Sequence, residues 1–178
     1  MKPSSPTRSG SATGGSSPKA GRSPKLRLNV QFGTAARNLP SRTQLRKWAH
    51  AALEHDASVT VRIVGQAEGR ALNRSYRDRD YATNVLTFVF RETAPFEGDL
   101  AICAPVVARE ARAQGKNVTA HYAHLVVHGM LHLQGYDHEN DADAAVMEKI
   151  ETEIVTGLGY PAPYGKQESG KKKAKRIE

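Results

Sequence analysis

A histidine-rich segment is the part of this sequence best suited to chemistry. Five of the seven histidines fall in residues 121–138, HYAHLVVHGMLHLQGYDH. His128 and His132 are four residues apart, so they share one helix face, and two such imidazoles can bind one ion at about 2.0–2.1 Å. Gly135 favours a left-handed turn that ends the helix and returns the chain. Because this turn brings His138 toward the pair, we predict a metal site formed by His128, His132 and His138.

The predicted ligand set also indicates which ion binds and what the ion does. Three neutral ring nitrogens favour Zn²⁺ or a similar transition metal. They leave a fourth coordination position open, which is typical of catalytic rather than structural zinc sites. We therefore expect one Zn²⁺ per chain, in a site that performs catalysis.

The other four histidines lack this arrangement. His124 lies one helical turn before the pair and is suited to supporting a ligand or to simple packing, with a ligand role as the alternative. His121 has no partner beyond the turn. His50 and His55 belong to the first helix or its end, and we expect both to face solvent.

The metal motif shares its spacing with metzincin peptidases, but one essential residue differs. Those enzymes carry a glutamate directly after the first histidine, as general base beside the metal. Gly129 stands at that position here. The metal geometry is retained while the peptidase chemistry does not follow from it. Another metal-dependent hydrolase, including a peptidase without the glutamate, stays an alternative.

Patterns along residues 26–164 predict one α+β domain that carries the metal site on a helix and the following turn. Residues 26–32 alternate apolar and polar side chains, as in a half-buried strand, and Ser41 with Gln44 forms a capping-box pattern before a helix. We expect a mixed four-stranded sheet with helices packed on it. The later expected elements are strand 59–63, helix 67–76, strands 85–90 and 100–103 paired as a hairpin, and helices 105–114, 118–134 and 142–156.

Positive charge is concentrated at the two ends of the chain. The formal net charge is +8; residues 1–25 carry +5 and residues 165–178 carry +4, so residues 26–164 carry −1. The first 25 residues contain seven Ser, four Pro and four Gly, a composition that does not offset the entropy of ordering. We predict disordered basic tails at residues 1–25 and 165–178, and a polyanionic partner.

Composition excludes several classes of protein. The single cysteine, Cys103, cannot form an intramolecular disulfide, which excludes a disulfide scaffold, and its apolar run is typical of a core strand. No segment approaches the roughly 18–20 apolar residues of a membrane span. The N-terminus lacks the apolar run of a secretory signal. We expect a cytoplasmic protein with no membrane partner.

Four segments together resemble one known family. HGMLHLQGYDH, at residues 128–138, closely resembles the signature of the YbeY family of metal-dependent endoribonucleases, which act in ribosomal RNA maturation. The other matching segments are LNRSYRDRDYATNVLTF (72–88), EGDLAIC (97–103) and LGYPAPY (158–164). Two features depart from the family pattern: Ala82 stands where proline is usual, and the basic N-terminal tail has no counterpart.

The resemblance implies a function and specific residue roles. His128, His132 and His138 match the family's zinc ligands, and Arg77 matches an arginine implicated in activity. The chain would be a zinc-dependent endoribonuclease specific for single-stranded RNA, acting in 3′-end maturation of small-subunit (16S) ribosomal RNA and in ribosome quality control. The implied partners are ribosomal RNA, the small ribosomal subunit and ribosome-associated proteins. A ribosome-assembly protein whose metal site is structural or vestigial is the alternative from another class.

Arg77 suits phosphate chemistry for a physical reason. A guanidinium can donate two parallel hydrogen bonds to the oxygens of a transition state that gains negative charge. The alternative is that Arg77 belongs to a solvated charge cluster with Asp78 and Asp80. No carboxylate is clearly placed as general base, and Asp137, next to a ligand, is suited to orienting it. Water and the ribose 2′-hydroxyl both stay open as the attacking group.

The aromatic residues do not predict a surface for base stacking. Phe88 and Phe90 lie in an apolar run that is typical of a buried strand, and Trp48 lies on the apolar face of a helix. We therefore expect RNA to be held mainly through its phosphates.

Overall fold

The strands predicted from apolar patterns form a four-stranded sheet in the computed structural model, which describes residues 21–165. The strands are β1 (Leu26–Gly33), β2 (Ala57–Val64), β3 (Val85–Arg91) and β4 (Phe96–Cys103). Their order across the sheet is β1-β2-β4-β3. The pairs β1–β2 and β2–β4 are parallel, whereas β3 and β4 are antiparallel. The predicted mixed sheet, with its hairpin, is confirmed.

The helices follow in the predicted order, which confirms the α+β class. Within residues 21–165 they are α1 (Arg42–Ala51), α2 (Gln66–Arg77), α3 (Ala104–Ala113), α4 (Val118–Leu133) and α5 (Asp141–Gly157). The predicted capping box of α1 is present, because the Gln44 N–H donates to Ser41 Oγ and the Ser41 N–H donates to Gln44 Oε1. None of these helices is both long and apolar enough to cross a membrane.

Helix α4 occupies the centre of the domain. It packs against β3 and β4 and is flanked by α1, α3 and α5. Twelve of its sixteen residues are buried, so it is apolar around most of its circumference and not along a single stripe. The histidines that it carries are therefore held by a helix that has little freedom to move.

The opposite face of the sheet is covered by α2. Successive residues of a strand point to opposite faces, and Ile102 of β4 belongs to the main core while Cys103 packs with Val64, Ala82 and Val106. Cys103 is 1% exposed, which confirms its predicted place in the core. Through Ala82, this second cluster holds the segment that follows α2 in place. That segment forms one wall of the cleft described below.

The prediction that the β3 aromatics are buried is wrong for Phe90, which is 67% exposed. β3 is an edge strand, and the end of α2 covers only part of its outer face. Tyr76 packs edge-on against Phe88 with ring centroids 4.5 Å apart, while no helix of residues 21–165 covers Phe90 in this way. Trp48, by contrast, is fully buried as predicted.

Most of each predicted tail, residues 1–20 and 166–178, lies outside the described residues. Residues 21–25 run into β1 and contact Asp56. The Lys25 N–H donates to Asp56 Oδ1 at 2.8 Å, and Arg22 Nη2 lies 2.6 Å from Asp56 Oδ2. These two contacts lower the pKa of the Asp56 carboxyl below its ordinary value and attach the chain to the residue that precedes β2.

Candidate metal centre

The histidine helix begins at the predicted residue, Val118, and ends just before the predicted glycine turn. Asn117 caps α4, with its side-chain oxygen accepting from the Thr119 and Ala120 N–H groups. At the other end, Gly135 has a φ of 102°, a conformation that favours glycine, and its N–H donates to the carbonyl of His132. The chain reverses there, which returns residues 136–138 toward the last turn of the helix.

This reversal brings the ring of His138 close to the rings of His128 and His132. Ring centroids are 5.4 Å apart for His128 and His138, 6.0 Å for His132 and His138, and 6.5 Å for His128 and His132. A tetrahedral ion with Zn–N bonds of about 2.1 Å sets neighbouring ring centroids roughly 5 Å apart. The His128–His138 pair is close to this spacing and the His128–His132 pair is wider, and His128 lies outside the group of ligand atoms that are within 4.8 Å of one another.

Hydrogen bonds at Nδ1, the ring nitrogen nearer the backbone, fix the orientation of the His128 and His132 rings. His132 Nδ1 lies 2.9 Å from the carbonyl of Tyr136, which can only accept, so Nδ1 carries the proton. His128 Nδ1 lies 2.6 Å from Glu151 Oε1, again an acceptor. In both rings the Nε2 lone pair is left for a ligand, which is the arrangement that metal-binding histidines show.

The third ring, His138, is in a different environment. Its Nδ1 is buried and has no hydrogen-bond partner among the described residues, as expected of a nitrogen that an ion would satisfy. Burial, with His128 and His132 nearby, lowers the pKa of His138 below its ordinary value. The ring is therefore neutral at pH 7, as a metal ligand must be.

Asp137 adds an oxygen donor to the same place. The ligand atoms of His132, Asp137 and His138 all lie within 4.8 Å of one another. Asp137 Oδ1 also accepts from the His138 N–H at 2.7 Å, which fits a role in orienting that residue. The donor set is thus nitrogen-rich with one carboxylate, which suits a transition metal.

Glu151 of α5 is a part of the site that the sequence analysis missed. It is 1% exposed and accepts hydrogen bonds from His128 Nδ1 at 2.6 Å, from His124 Nε2 at 2.8 Å and from the Tyr164 hydroxyl. Burial alone would raise the pKa of this carboxyl, but the hydrogen bonds from His124 and His128 outweigh it and lower the pKa to about 2. Glu151 is thus a buried anion that orients His128.

A signal for Glu151 does exist in the sequence. The buried positions of α5 are Ala144, Met147, Glu151 and Val155, which recur at helical spacing. A glutamate within such an apolar stripe must have partners, because an unpaired buried charge is costly. The stripe therefore marks Glu151 as paired, although it does not show with which residue.

His121 and His124 are buried, and the nitrogen that each bonds is Nε2. His121 Nε2 lies 2.8 Å from Glu110 Oε2, and His124 Nε2 lies 2.8 Å from Glu151 Oε2. The supporting role expected for His124 agrees with this contact, since Glu151 also holds His128. His50 and His55 are exposed, as predicted.

Gly129 is required by packing. A Cβ added there would lie 2.8 Å from Leu100 Cδ2, so the helix approaches β4 closely only because no side chain intervenes. A glutamate at this position would enter the core instead of the metal site. The general base of a metzincin peptidase is therefore absent, and a side chain at this position would require Leu100 to move.

One cleft joins the metal centre to Arg77. Its volume is about 680 Å³, and its lining residues are Asn73, Arg77, Arg79, Tyr81, His132, Asp137, His138 and Glu139. Arg77 is the last residue of α2, and Asp78 follows it with a left-handed φ of 54°. The structure thus brings Arg77 to the same cleft as His132 and His138, whereas His128 is buried and does not line this cleft.

The charge cluster that is the alternative role for Arg77 has a different centre. Asp80 pairs with Arg70 through two hydrogen bonds of 2.9 and 2.8 Å, which lower the pKa of Asp80. Arg74 lies close enough to lower it further. Within residues 21–165 Arg77 forms no ion pair, so its guanidinium is available to an anion in the cleft.

Comparisons with known proteins agree with one another. A sequence model of the family described as "Endoribonuclease YbeY" matches residues 31–159. Proteins of that name from Nitrosomonas eutropha and Thiobacillus denitrificans are 56% and 59% identical over 137 and 143 residues, covering 77% and 79% of this chain and 97% of each relative. The solution structure of a Thermotoga maritima protein matches with a TM-score of 0.52 at 26% identity, over 75% of this chain and 89% of that one.

Proposed function

The chain belongs to the YbeY endoribonuclease family, and on this premise we propose that it is a metal-dependent endoribonuclease acting on single-stranded RNA. The observation that carries the proposal is the single cleft lined by Arg77, His132 and His138. A bound metal ion and a fixed cation at the same phosphate both promote phosphodiester cleavage, because negative charge develops there in the transition state. The cleft offers metal-binding residues together with such a cation.

We propose Zn²⁺ as the ion, held by His128, His132 and His138. The support is the nitrogen-rich donor set, the free Nε2 atoms of His128 and His132, and the unpaired buried nitrogen of His138. When bound, such an ion lowers the pKa of a water molecule or polarises a phosphate oxygen. His128 is catalytic in the sense that it contacts this ion, and Glu151 fixes its orientation.

Arg77 is the residue that we propose to bind the phosphate under attack. Its guanidinium is exposed to the cleft and unpaired within residues 21–165, and its five N–H donors match the geometry of two phosphate oxygens. Asp137, which accepts from the His138 N–H, orients the third ligand. Both water and the 2′-hydroxyl of the substrate fit this arrangement as the attacking group.

Ribosomal RNA is the substrate that we propose, at the 3′ end of the small-subunit (16S) RNA and in ribosome quality control. The support is the resemblance of the four sequence segments, together with the basic tails, whose joint charge of +9 favours a polyanion. The partners would be the small ribosomal subunit and its associated proteins, in the cytoplasm. We propose that the tails, residues 1–25 and 165–178, are disordered and supply salt-sensitive affinity, so a chain of residues 26–164 should show a smaller salt slope of RNA binding.

Metal analysis combined with RNA cleavage, before and after a chelator, tests the proposed activity. We expect about one zinc per chain, cleavage of labelled single-stranded RNA but not of a duplex, and loss of cleavage on chelation that added Zn²⁺ restores. RNA binding without metal-dependent cleavage would contradict the proposal in favour of a ribosome-assembly protein. Cleavage of casein under the same conditions would favour a peptidase.

Substitution of Arg77 tests its role, with Arg74 as matched control. Arg74 lies three residues earlier on α2 and does not line the cleft. Arg77→Ala should lower the cleavage rate at least about tenfold with metal content unchanged, and Arg77→Lys should restore only part of it, since an ammonium lacks the planar pair of donors. Equal, small effects of Arg77→Ala and Arg74→Ala would place Arg77 in the surface charge cluster.

A further inference from the structure

Among the described residues, Tyr81 is the only phenylalanine, tyrosine or tryptophan that lines the cleft. It follows α2 and precedes β3, and it is 44% exposed. Its large, partly apolar side chain lies in the wall of the cleft together with two arginines, Arg77 and Arg79. The expectation that RNA is held mainly through phosphates took account of Phe88, Phe90 and Trp48, and not of this position.

The backbone of Tyr81 is anchored although its side chain is exposed. Asn73 of α2, 1% exposed, donates from Nδ2 to the carbonyl of Tyr81 at 2.7 Å. The next residue, Ala82, is 7% exposed and packs with Val64 and Cys103 in the second core cluster. The ring is thus presented from a fixed point of the cleft wall, so little conformational entropy is lost when it binds a flat partner.

The chemistry of the wall matches one class of ligand. Proteins that bind single-stranded nucleic acid combine cationic groups along the backbone with aromatic rings on which unpaired bases stack. Arg77 and Arg79 supply the cations, and Tyr81 supplies the ring. A base within a duplex has both faces covered by its neighbours, so a single tyrosine can stack only on an unpaired base.

We propose that Tyr81 is a specificity-determining residue that stacks on an unpaired base next to the phosphate bound by Arg77. The inference rests on the proposed endoribonuclease function and explains how the cleft selects single strands. Selection then comes from the base as well as from the shape and charge of the backbone.

Binding measurements on the zinc-loaded full chain test this inference. The probe is a fluorescent 2′-O-methyl phosphorothioate RNA of about ten nucleotides, which resists cleavage, used alone and annealed to its complement. Tyr81→Ala should weaken binding of the single strand roughly 5- to 100-fold and leave duplex binding unchanged. Tyr81→Phe should retain wild-type affinity, because the ring is kept.

Phe90→Ala is the matched control, since Phe90 is more exposed than Tyr81 and does not line the cleft. It should bind both probes like the wild type, and zinc content and thermal midpoint should be unchanged in all three variants. Unchanged binding by Tyr81→Ala, or equal losses for the single strand and the duplex, would overturn the inference. Tyr81-dependent binding by a wild type that cleaves no RNA would contradict the proposed activity alone, and cleavage with Tyr81-independent binding would contradict the inference alone.

Discussion

In the first half of α4, two buried histidines engage carboxylates through the far nitrogen of the ring. His121 Nε2 contacts Glu110 and His124 Nε2 contacts Glu151, each at 2.8 Å. In each ring the remaining nitrogen, Nδ1, is buried without a hydrogen-bond partner among the described residues. These side chains join α4 to its neighbours and present no nitrogen to the cleft.

In the second half of the same helix, the two histidines engage their partners through the near nitrogen. His128 Nδ1 contacts Glu151 and His132 Nδ1 contacts the carbonyl of Tyr136. The far nitrogen is left over, on the side where the chain returns with His138. The difference shows that spacing alone does not make a histidine a metal ligand. The hydrogen-bond acceptor beside each ring decides which nitrogen is left to bind an ion.

The strongest test of this difference is to replace one histidine by alanine in each half of α4. His132→Ala should reduce zinc affinity at least about a hundredfold and abolish RNA cleavage, because one of three nitrogen ligands is lost, while the domain stays folded. His124→Ala should keep stoichiometric zinc and lose only stability. Metal content by atomic spectroscopy and thermal unfolding report both quantities. Full zinc occupancy in His132→Ala would rule out this ligand set.

Glu151 connects the two halves, so Glu151→Gln should affect both. The amide keeps the size but loses the negative charge that holds His124 and His128. We expect zinc affinity to fall about 10- to 100-fold, as for other residues that orient metal ligands. Calorimetric zinc titration measures this, with Glu153→Gln, an exposed position of α5, as control. Wild-type affinity in Glu151→Gln would mean that His128 needs no support from α5.

Lowering the pH should weaken zinc binding, because protons compete with the ion for the histidines in the second half of α4 and for His138 in the turn. The pKa of His138 is lowered in the folded protein, so the unfolded chain takes up this proton first as pH falls below about 6.5. Folding stability should therefore be full above about pH 6.5 and decline below it. Zinc affinity should decline at the lower pH at which His138 of the folded protein takes up its proton, by about tenfold per pH unit for each ligand protonated. Zinc titrations at several pH values check this, and pH-independent affinity down to about pH 5 would contradict it.

The smallest effect on zinc binding is expected from Glu110, the carboxylate that contacts His121 in the first half of α4 and also accepts from Asn84 Nδ2. Glu110→Gln removes the charge beside His121, which lies far from the turn along α4. Stability should fall by about 1–2 kcal/mol, since a charge-assisted hydrogen bond is replaced by a neutral one. Zinc affinity should be unchanged. A marked loss of zinc affinity in this variant would show that the two halves of α4 are not independent.

Local patterns were sufficient to predict much of the site, and packing decided the rest. His128, His132, Gly135 and His138 lie within eleven residues, so helix periodicity and one turn determine how they meet. Glu151 reaches His128 only because α5 packs against α4, and no pattern along the chain specifies that contact.

Long-range packing also explains why the sequence failed to predict the exposure of Phe90 and the position of Tyr81. The apolar composition of β3 predicted a buried strand, but Phe90 is exposed because β3 is an edge strand. The sequence does not indicate a role for Tyr81, because this residue stands in a polar loop and only the tertiary structure places that loop at the cleft. Strand order and loop placement depend on long-range contacts, which a single sequence does not reveal.

Gly129 has an evolutionary consequence. The metal motif differs from a peptidase motif at this one position, and a single glycine-to-glutamate replacement would seem enough to exchange one chemistry for the other. With Leu100 Cδ2 only 2.8 Å from where a Cβ would lie, that replacement would disrupt the contact between α4 and the sheet before any new base could act. The two motifs differ at one position, but the core packs against that position. A change from one activity to the other would therefore require Leu100 and its neighbours to change as well.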